Sequence, residues 1–219
     1  IKRHFVPDLH SHPFPVESPI PHVTAVFDRF AIELSRGCTQ GCRFCQAGMI
    51  YRPLRERRPR DVIEAVEAGL RLGGFDEASL TCLSTADYSA VTPLILELLD
   101  KLPARGARLG ISSLRAYGLD ERVLDKLATV KNTSLTFAPE AGTQRMRNVI
   151  NKNVSDEDLE RAAHNVFSRG WSKMKLYFMI GLPWESDEDV AAICETGART
   201  KRIARACGVR NPDITLSVS

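Results

Sequence analysis

Residues 29–48 have the sequence "RFAIELSRGCTQGCRFCQAG". Its first seven residues are rich in apolar and β-favouring side chains, which predicts a short strand. A loop follows at once, and it places Cys38, Cys42 and Cys45 in the spacing Cys-x3-Cys-x2-Cys. The chain therefore begins its regular structure with a strand whose end leads directly into a loop of thiols.

The same strand-then-loop arrangement repeats along the chain. Ser155 and Ser186, each with an aspartate three residues later, predict helix starts between β-rich runs. The six β-rich runs are "RFAIELS", "EASLTCLS", "ARLGISS", "NTSLTFAP", "KMKLYFMIGLP" and "DITLSVS". This alternation predicts an α/β fold with parallel strands and right-handed crossovers, either an open doubly wound sheet or a barrel. In both, chemistry belongs to the loops at the carboxyl ends of the strands.

Composition indicates an ordinary globular protein. The chain has 219 residues, 43% of them hydrophobic and 26% charged, with a net charge of +3. This charge is too weak to indicate nucleic-acid binding by itself. We find no apolar run approaching the roughly 20 residues of a membrane span and no secretory leader, so we expect a cytoplasmic protein without a membrane partner.

The first 28 residues differ from the rest. Residues 1–24 hold five prolines and four of the five histidines, which forbids a helix and predicts an extended connector. Because the chain begins at Ile1 and ends in an apparent strand, we expect residues 1–28 to be a proline-rich linker from an upstream domain of the same protein. Residues 29–219 would then be a core domain truncated at its sixth strand. The arginine run "YRPLRERRPR" could hold a phosphate-bearing substrate or form a solvated loop and helix start.

The thiol loop predicts a soft-metal site. A structural zinc site normally closes with four ligands, and here a fourth is missing nearby: His164 falls in a predicted helix. Three thiolates suit a four-iron cluster with one open iron, whereas Cys82, Cys194 and Cys207 are most simply packing residues. Zinc remains the alternative.

"CTQGCRFC" after a first strand resembles the signature of the radical S-adenosylmethionine (SAM) superfamily, and the resemblance covers about residues 29–219. It implies a six-stranded partial (β/α) barrel with a [4Fe-4S] cluster on Cys38, Cys42 and Cys45 at the carboxyl ends of the strands. The open iron would hold SAM, and reductive cleavage would give a 5′-deoxyadenosyl radical. Phe44, the aromatic residue before the third cysteine, would lie near adenine.

The resemblance also implies cofactor-binding residues in two later loops. "LTCLSTADY" stands in place of the superfamily's Gly-Gly-Glu stretch, so Ser84 and Asp87 would have to meet the SAM amino group. "FAPEAGTQRMRNVINKN" resembles a segment in which Glu140 would meet the ribose hydroxyls or the amino group and Lys152 the methionine carboxylate. Glu140 could instead cap the following helix, and Lys152 could be an exposed charge.

Two further loops complete the expected site. "FMIGLPWES" resembles the fifth-strand motif whose backbone, including Ile180 and Gly181, reads the adenine edge. Arg115 ends the third strand, and its guanidinium could bind a carboxylate or phosphate of SAM or substrate, or pair with a neighbouring acid. Trp184 could wall the substrate space.

The branch that the series resembles most has a cobalamin-binding-like domain upstream of the barrel, so the full-length protein could also bind cobalamin. We expect an oxygen-sensitive enzyme served by a flavodoxin- or ferredoxin-type electron donor. Its substrate is open between RNA, by methyl or methylthio transfer, and a small molecule. The alternative from another class is a non-catalytic RNA-binding or scaffold module with a structural iron–sulfur or zinc site.

Overall fold

A computed structural model describes residues 4–17, 19–23, 25–111, 120–130 and 135–219. The chain divides into two compact units. The first unit comprises the described residues within 1–39 and 47–112, and the second unit those within 40–46 and 113–219. Among the described residues, no helix is both long enough and apolar enough to cross a membrane.

The regular elements follow the predicted alternation. The strands are β1 (Phe30–Glu33), β2 (Ser35–Arg36), β3 (Arg55–Glu56), β4 (Glu77–Thr81), β5 (Arg108–Ile111), β6 (Leu135–Glu140), β7 (Lys173–Phe178) and β8 (Asp213–Val218). The α-helices are α1 (Gln46–Ile50), α2 (Pro59–Gly73), α3 (Val91–Lys101), α4 (Glu121–Thr129), α5 (Gln144–Val149), α6 (Asp156–Phe167) and α7 (Asp187–Ala206). Single 3-10 turns lie at Thr85–Asp87 and Pro103–Arg105.

The first unit contains a three-stranded parallel sheet in the order β1-β4-β5 and a short antiparallel pair of β2 with β3. Helix α2 packs closely on this sheet because Gly69 has no side chain: a Cβ there would lie 2.3 Å from the Phe30 ring. Gly74 caps the C-terminal end of α2, and its φ of 68° is the left-handed conformation that glycine adopts easily. Close helix–sheet contact therefore depends on one glycine.

The second unit contains the parallel sheet β6-β7-β8. Alternate residues of each strand face the helices. On this face Phe137, Leu176 and Leu216 are aligned across the three strands. Gly197 of α7 lies over this face, where a Cβ would stand 2.8 Å from Leu216. The capping box predicted for α6 is present, with Ser155 and Asp158 each bonding the other's backbone N–H.

The α/β fold with parallel strands is confirmed. The six predicted β-rich runs correspond to the six strands of the two parallel sheets, three in each. The described residues show these two partial sheets, so the continuous six-stranded partial barrel stays a prediction. The β2-β3 pair was not predicted, since two-residue strands leave no periodicity to detect.

The start of the chain is helix-free between residues 4 and 17, but it packs against the first unit. Leu9 is buried, and the Arg57 guanidinium donates to the carbonyl oxygens of Leu9 at 3.1 Å and His12 at 2.9 Å. Arg55 donates to the carbonyl of Val6 at 3.0 Å. The interpretation of the arginine run as solvated is therefore wrong for Arg55 and Arg57, which are buried and fasten the start of the chain.

Candidate cofactor site

The three cysteines of the first loop form no disulfide bond. Cys38 belongs to the first unit, whereas Cys42 and Cys45 belong to the second. Gly37 precedes them with φ 97°, and a Cβ there would lie 2.6 Å from the carbonyl oxygens of Tyr51 and Pro53. Among the described residues, no three His, Cys, Asp or Glu side chains are grouped closely enough to hold a metal ion. The role of Cys38, Cys42 and Cys45 as cluster ligands stays a prediction.

Within the second unit, the loop after α5 holds the segment that carries Cys42 and Cys45. The Arg43 N–H donates to the Ile150 carbonyl at 2.9 Å, and the Asn151 side-chain amide donates to the Gly41 carbonyl at 2.8 Å. A Cβ at Gly41 would lie 2.7 Å from that amide nitrogen. Gly41 therefore permits the close approach that lets Asn151 fix the loop.

The structure brings Phe44, Glu140 and Lys152 together. Lys152 Nζ lies 3.0 Å from Glu140 Oε1 and 5.8 Å from the centre of the Phe44 ring. The Lys152 side chain is 9% exposed and that of Glu140 16%, so Lys152 is not an exposed charge. Nor does Glu140 cap α5, because the Thr143 hydroxyl accepts from the Met146 N–H at 3.1 Å and performs that role.

The end of β7 lies beside the end of β6, where Glu140 is the last residue. The Met179 N–H donates to the Glu140 carbonyl at 2.8 Å. The next two N–H groups are already used: that of Ile180 donates to the Ser219 carbonyl at 3.1 Å, and that of Gly181 to Glu185 Oε2 at 2.6 Å. Adenine recognition by Ile180 and Gly181 would therefore have to use their carbonyl oxygens.

In the first unit, Ser84 and Asp87 follow the carboxyl end of β4. Ser84 is 7% exposed, and its hydroxyl is the one buried side-chain oxygen or nitrogen of the described residues without a hydrogen-bond partner. Asp87 closes the 3-10 turn through its N–H, which donates to the Ser84 carbonyl at 3.3 Å. A buried hydroxyl without a partner requires an explanation, and a bound polar ligand provides one. Arg115 lies outside the described residues.

A cavity of 560 Å³ opens in the first unit where β1 and β4 end. Arg36 and Glu33 line it and form a two-pronged ion pair at 2.9 and 2.8 Å. Cys82, which we expected to be a packing residue, also lines it. Burial raises the pKa of the Cys82 thiol, which keeps it protonated near neutral pH.

Arg147 and Asp189 support the loop that carries Lys152, and the sequence marked only Asp189, as the residue three positions after Ser186 at a helix start. Arg147 of α5 is fully buried and donates to the carbonyls of Val154 at 2.8 Å and Ala141 at 3.2 Å. Asp189 of α7 accepts from the Thr143 hydroxyl at 2.5 Å and pairs with Arg145. Hydrogen bonds from the Thr143 hydroxyl, from Ser186 at the start of α7 and from Arg145 hold the pKa of Asp189 well below its usual range. Since charged residues are usually solvated, only the fold reveals these contacts.

Comparison with known proteins finds relatives that match most of the chain. A 34% identical relative over 205 residues, an uncharacterized protein of Methanocaldococcus jannaschii, is matched over 94% of this chain and 45% of its own length. The ribosomal protein uS12 methylthiotransferase RimO of Desulfotalea psychrophila is 25% identical over 77% of this chain and 40% of its own. The chain thus spans less than half the length of these relatives.

Solved structures show the same fold. The radical SAM methyltransferase TsrM of Kitasatospora setae, solved with cobalamin and a [4Fe-4S] cluster, matches 86% of this chain and 36% of its own with a TM-score of 0.65 and 18% identity. The model of the radical SAM superfamily matches residues 32–197, more than half of the chain. The chain therefore belongs to the radical SAM superfamily.

Proposed function

We propose that this chain is the core of an enzyme that cleaves SAM reductively at a [4Fe-4S] cluster held by Cys38, Cys42 and Cys45. Membership of the superfamily supports the proposal, and the observation that carries it is the largely buried ion pair of Glu140 with Lys152 beside Phe44. A cation, a carboxylate and an aromatic ring are the groups that an amino-acid nucleoside requires.

The side chains fit both cofactors chemically. Three cysteine thiols in one loop, none of them in a disulfide bond, are soft donors of the kind that iron–sulfur clusters use. The Ser84 hydroxyl, which is buried without a partner, can accept from the SAM amino group. When bound, the reduced cluster supplies the electron that splits the sulfonium of SAM.

Each residue of the second unit has a distinct task in this proposal. The Lys152 ammonium, positioned by Glu140 at 3.0 Å, attracts the methionine carboxylate. The Glu140 carboxylate accepts hydrogen bonds from the ribose hydroxyls or the amino group. Phe44 offers a ring face near adenine. The carbonyl oxygens of Ile180 and Gly181 accept from the exocyclic amine of adenine. Arg115 binds a carboxylate or phosphate of SAM or substrate.

The reaction class we propose is methyl or methylthio transfer. The relative RimO is a methylthiotransferase and TsrM is a methyltransferase. RimO acts on a ribosomal protein, so the comparison does not single out RNA. For the full-length protein, in which residues 1–28 would join the core to an upstream domain, we also propose cobalamin and a flavodoxin- or ferredoxin-type donor.

The test is anaerobic reconstitution of the full-length protein with iron and sulfide, reduction, and incubation with SAM while 5′-deoxyadenosine is measured by mass spectrometry. A Cys42→Ala variant is the negative control, and Cys194→Ala is the matched variant because Cys194 is exposed on α7. We expect product from the native protein and Cys194→Ala only. A reduced four-iron cluster that neither yields product nor responds to SAM in its spectrum would overturn the proposal in favour of a structural cluster. One stoichiometric zinc without visible absorption would instead establish the zinc alternative.

A further inference from the structure

The sheet of the second unit has a second, polar face. Thr136, Lys175 and Thr215 are directly aligned across β6, β7 and β8, and they alternate with the residues that face the helices. One row nearer the carboxyl ends, Tyr177 is aligned with Ser217. We call these five residues the polar face.

Lys175 is the one cation of the polar face. It makes no ion pair with any carboxylate of the described residues, and its ammonium lies 4.7 Å from the centre of the Tyr177 ring. Its neighbour on the same strand, Lys173, stands 3.7 Å from Asp213 and is thereby compensated. A half-buried ammonium that has only an aromatic ring beside it retains its attraction for an anion.

Hydroxyl groups surround this charge. Adjacent strands are about 4.8 Å apart, so Thr136 and Thr215 flank Lys175 on both sides. Neither threonine hydroxyl bonds to another group of the described residues. Tyr177 and Ser217 add two more hydroxyls one row away. The polar face therefore combines one cation with up to four O–H donors, and the carboxylate beside it on β8, Asp213, is already paired with Lys173, a composition complementary to an oxyanion.

We propose that the polar face binds a carboxylate or phosphate group of a small-molecule substrate, with Lys175 as the charged anchor. The inference rests on the proposed function, because the same strand β6 leads to Glu140 at its carboxyl end. Lys175 is aligned with Thr136 of β6, and Phe178, three residues further along β7, is aligned with Glu140 past a β-bulge, which corresponds to roughly 10 Å along a strand. The substrate class is thus an anionic molecule whose charged group lies on the order of 10 Å from Glu140.

The experiment measures anion binding to the full-length protein by calorimetric titration, in separate arms with inorganic phosphate and with acetate, in chloride buffer of matched ionic strength. We expect saturable binding of at least one of the two, weakened 10-fold or more by Lys175→Met. Thr136→Val with Thr215→Val keeps the volume of both side chains and should weaken binding several-fold. Lys173→Met, which removes the same charge two residues away, should change affinity less than 2-fold.

Equal weakening by Lys173→Met and Lys175→Met would overturn the inference, because it would indicate a diffuse field. Failure of both anions to saturate at 100 mM would overturn it as well. The two arms decide between phosphate and carboxylate. Anion binding needs neither cluster nor SAM, so a negative titration alongside positive 5′-deoxyadenosine formation removes this inference alone, and the reverse result removes the proposed function alone.

Discussion

Removal of the Lys152 ammonium leaves the largely buried Glu140 carboxylate without its cation. Lys152 Nζ and Glu140 Oε1 are 3.0 Å apart, and the Glu140 side chain is only 16% exposed. Breaking a buried ion pair costs about 3–5 kcal/mol, and the residual exposure of Glu140 lets water offset part of this. We therefore expect Lys152→Met to lower the free energy of unfolding by about 2–3 kcal/mol. Lys201→Met, on the exposed side of α7, should change it by less than about 0.5 kcal/mol.

A double-mutant cycle separates the pair from its surroundings. Glu140→Gln keeps the shape of the side chain, and with Lys152→Met it should give a coupling energy of about 1.5–3 kcal/mol. Urea unfolding followed by tryptophan fluorescence measures it, because Trp171 is buried in the second unit. Additive effects within about 0.5 kcal/mol would refute the reasoning. If the pair also serves SAM, Lys152→Met should weaken binding of S-adenosylhomocysteine 10-fold or more, whereas Lys201→Met should not.

Three further changes test the supporting structure. The lowered pKa of Asp189 means that its contribution to the free energy of unfolding is present above the unfolded pKa of about 4 and is lost as the pH falls. The destabilisation by Asp189→Asn, measured in urea titrations, should therefore be constant from pH 5 to 7 and shrink below pH 4. Arg57→Met should cost about 2–4 kcal/mol and expose residues 4–17 to limited proteolysis, whereas Arg60→Met on the surface should do neither. Gly142→Ala puts a Cβ 2.3 Å from backbone and should lower the melting temperature more than Gly170→Ala, which has free space and only a φ of 89° to overcome.

Much of the fold was predictable because local rules suffice for it. The β-rich runs marked six parallel strands, and Ser155 marked the start of α6. The buried arginines were not predictable. Arg55 and Arg57 stand in a run of five, and nothing local separates these two from the exposed members. Their burial depends on carbonyl groups some 45 to 49 residues earlier in the chain, which sequence periodicity cannot locate.

The candidate site was predictable in part for a similar reason. The resemblance to the superfamily pointed to Glu140 and Lys152, which the structure places 3.0 Å apart. The resemblance did not point to Asn151, whose amide fixes Gly41 at 2.8 Å, and side-chain amides are common in solvated loops. A motif reports residues that meet a ligand, whereas the residues that hold the loop in place are decided by three-dimensional packing.

Backbone strain gives an independent reason to regard this edge of the second unit as functional. Four non-glycine residues of the described chain have positive φ: Glu140 at 72°, Asn151 at 54°, Asn153 at 53° and Trp184 at 62°. Asparagine tolerates this conformation, but for glutamate and tryptophan it costs about 1–2 kcal/mol each. All four follow strand ends or flank Lys152, and none lies in the first unit. A fold under selection for stability alone would place glycine at Glu140 and Trp184, so side chains at these two positions are what we expect if, as we propose, this edge binds a ligand.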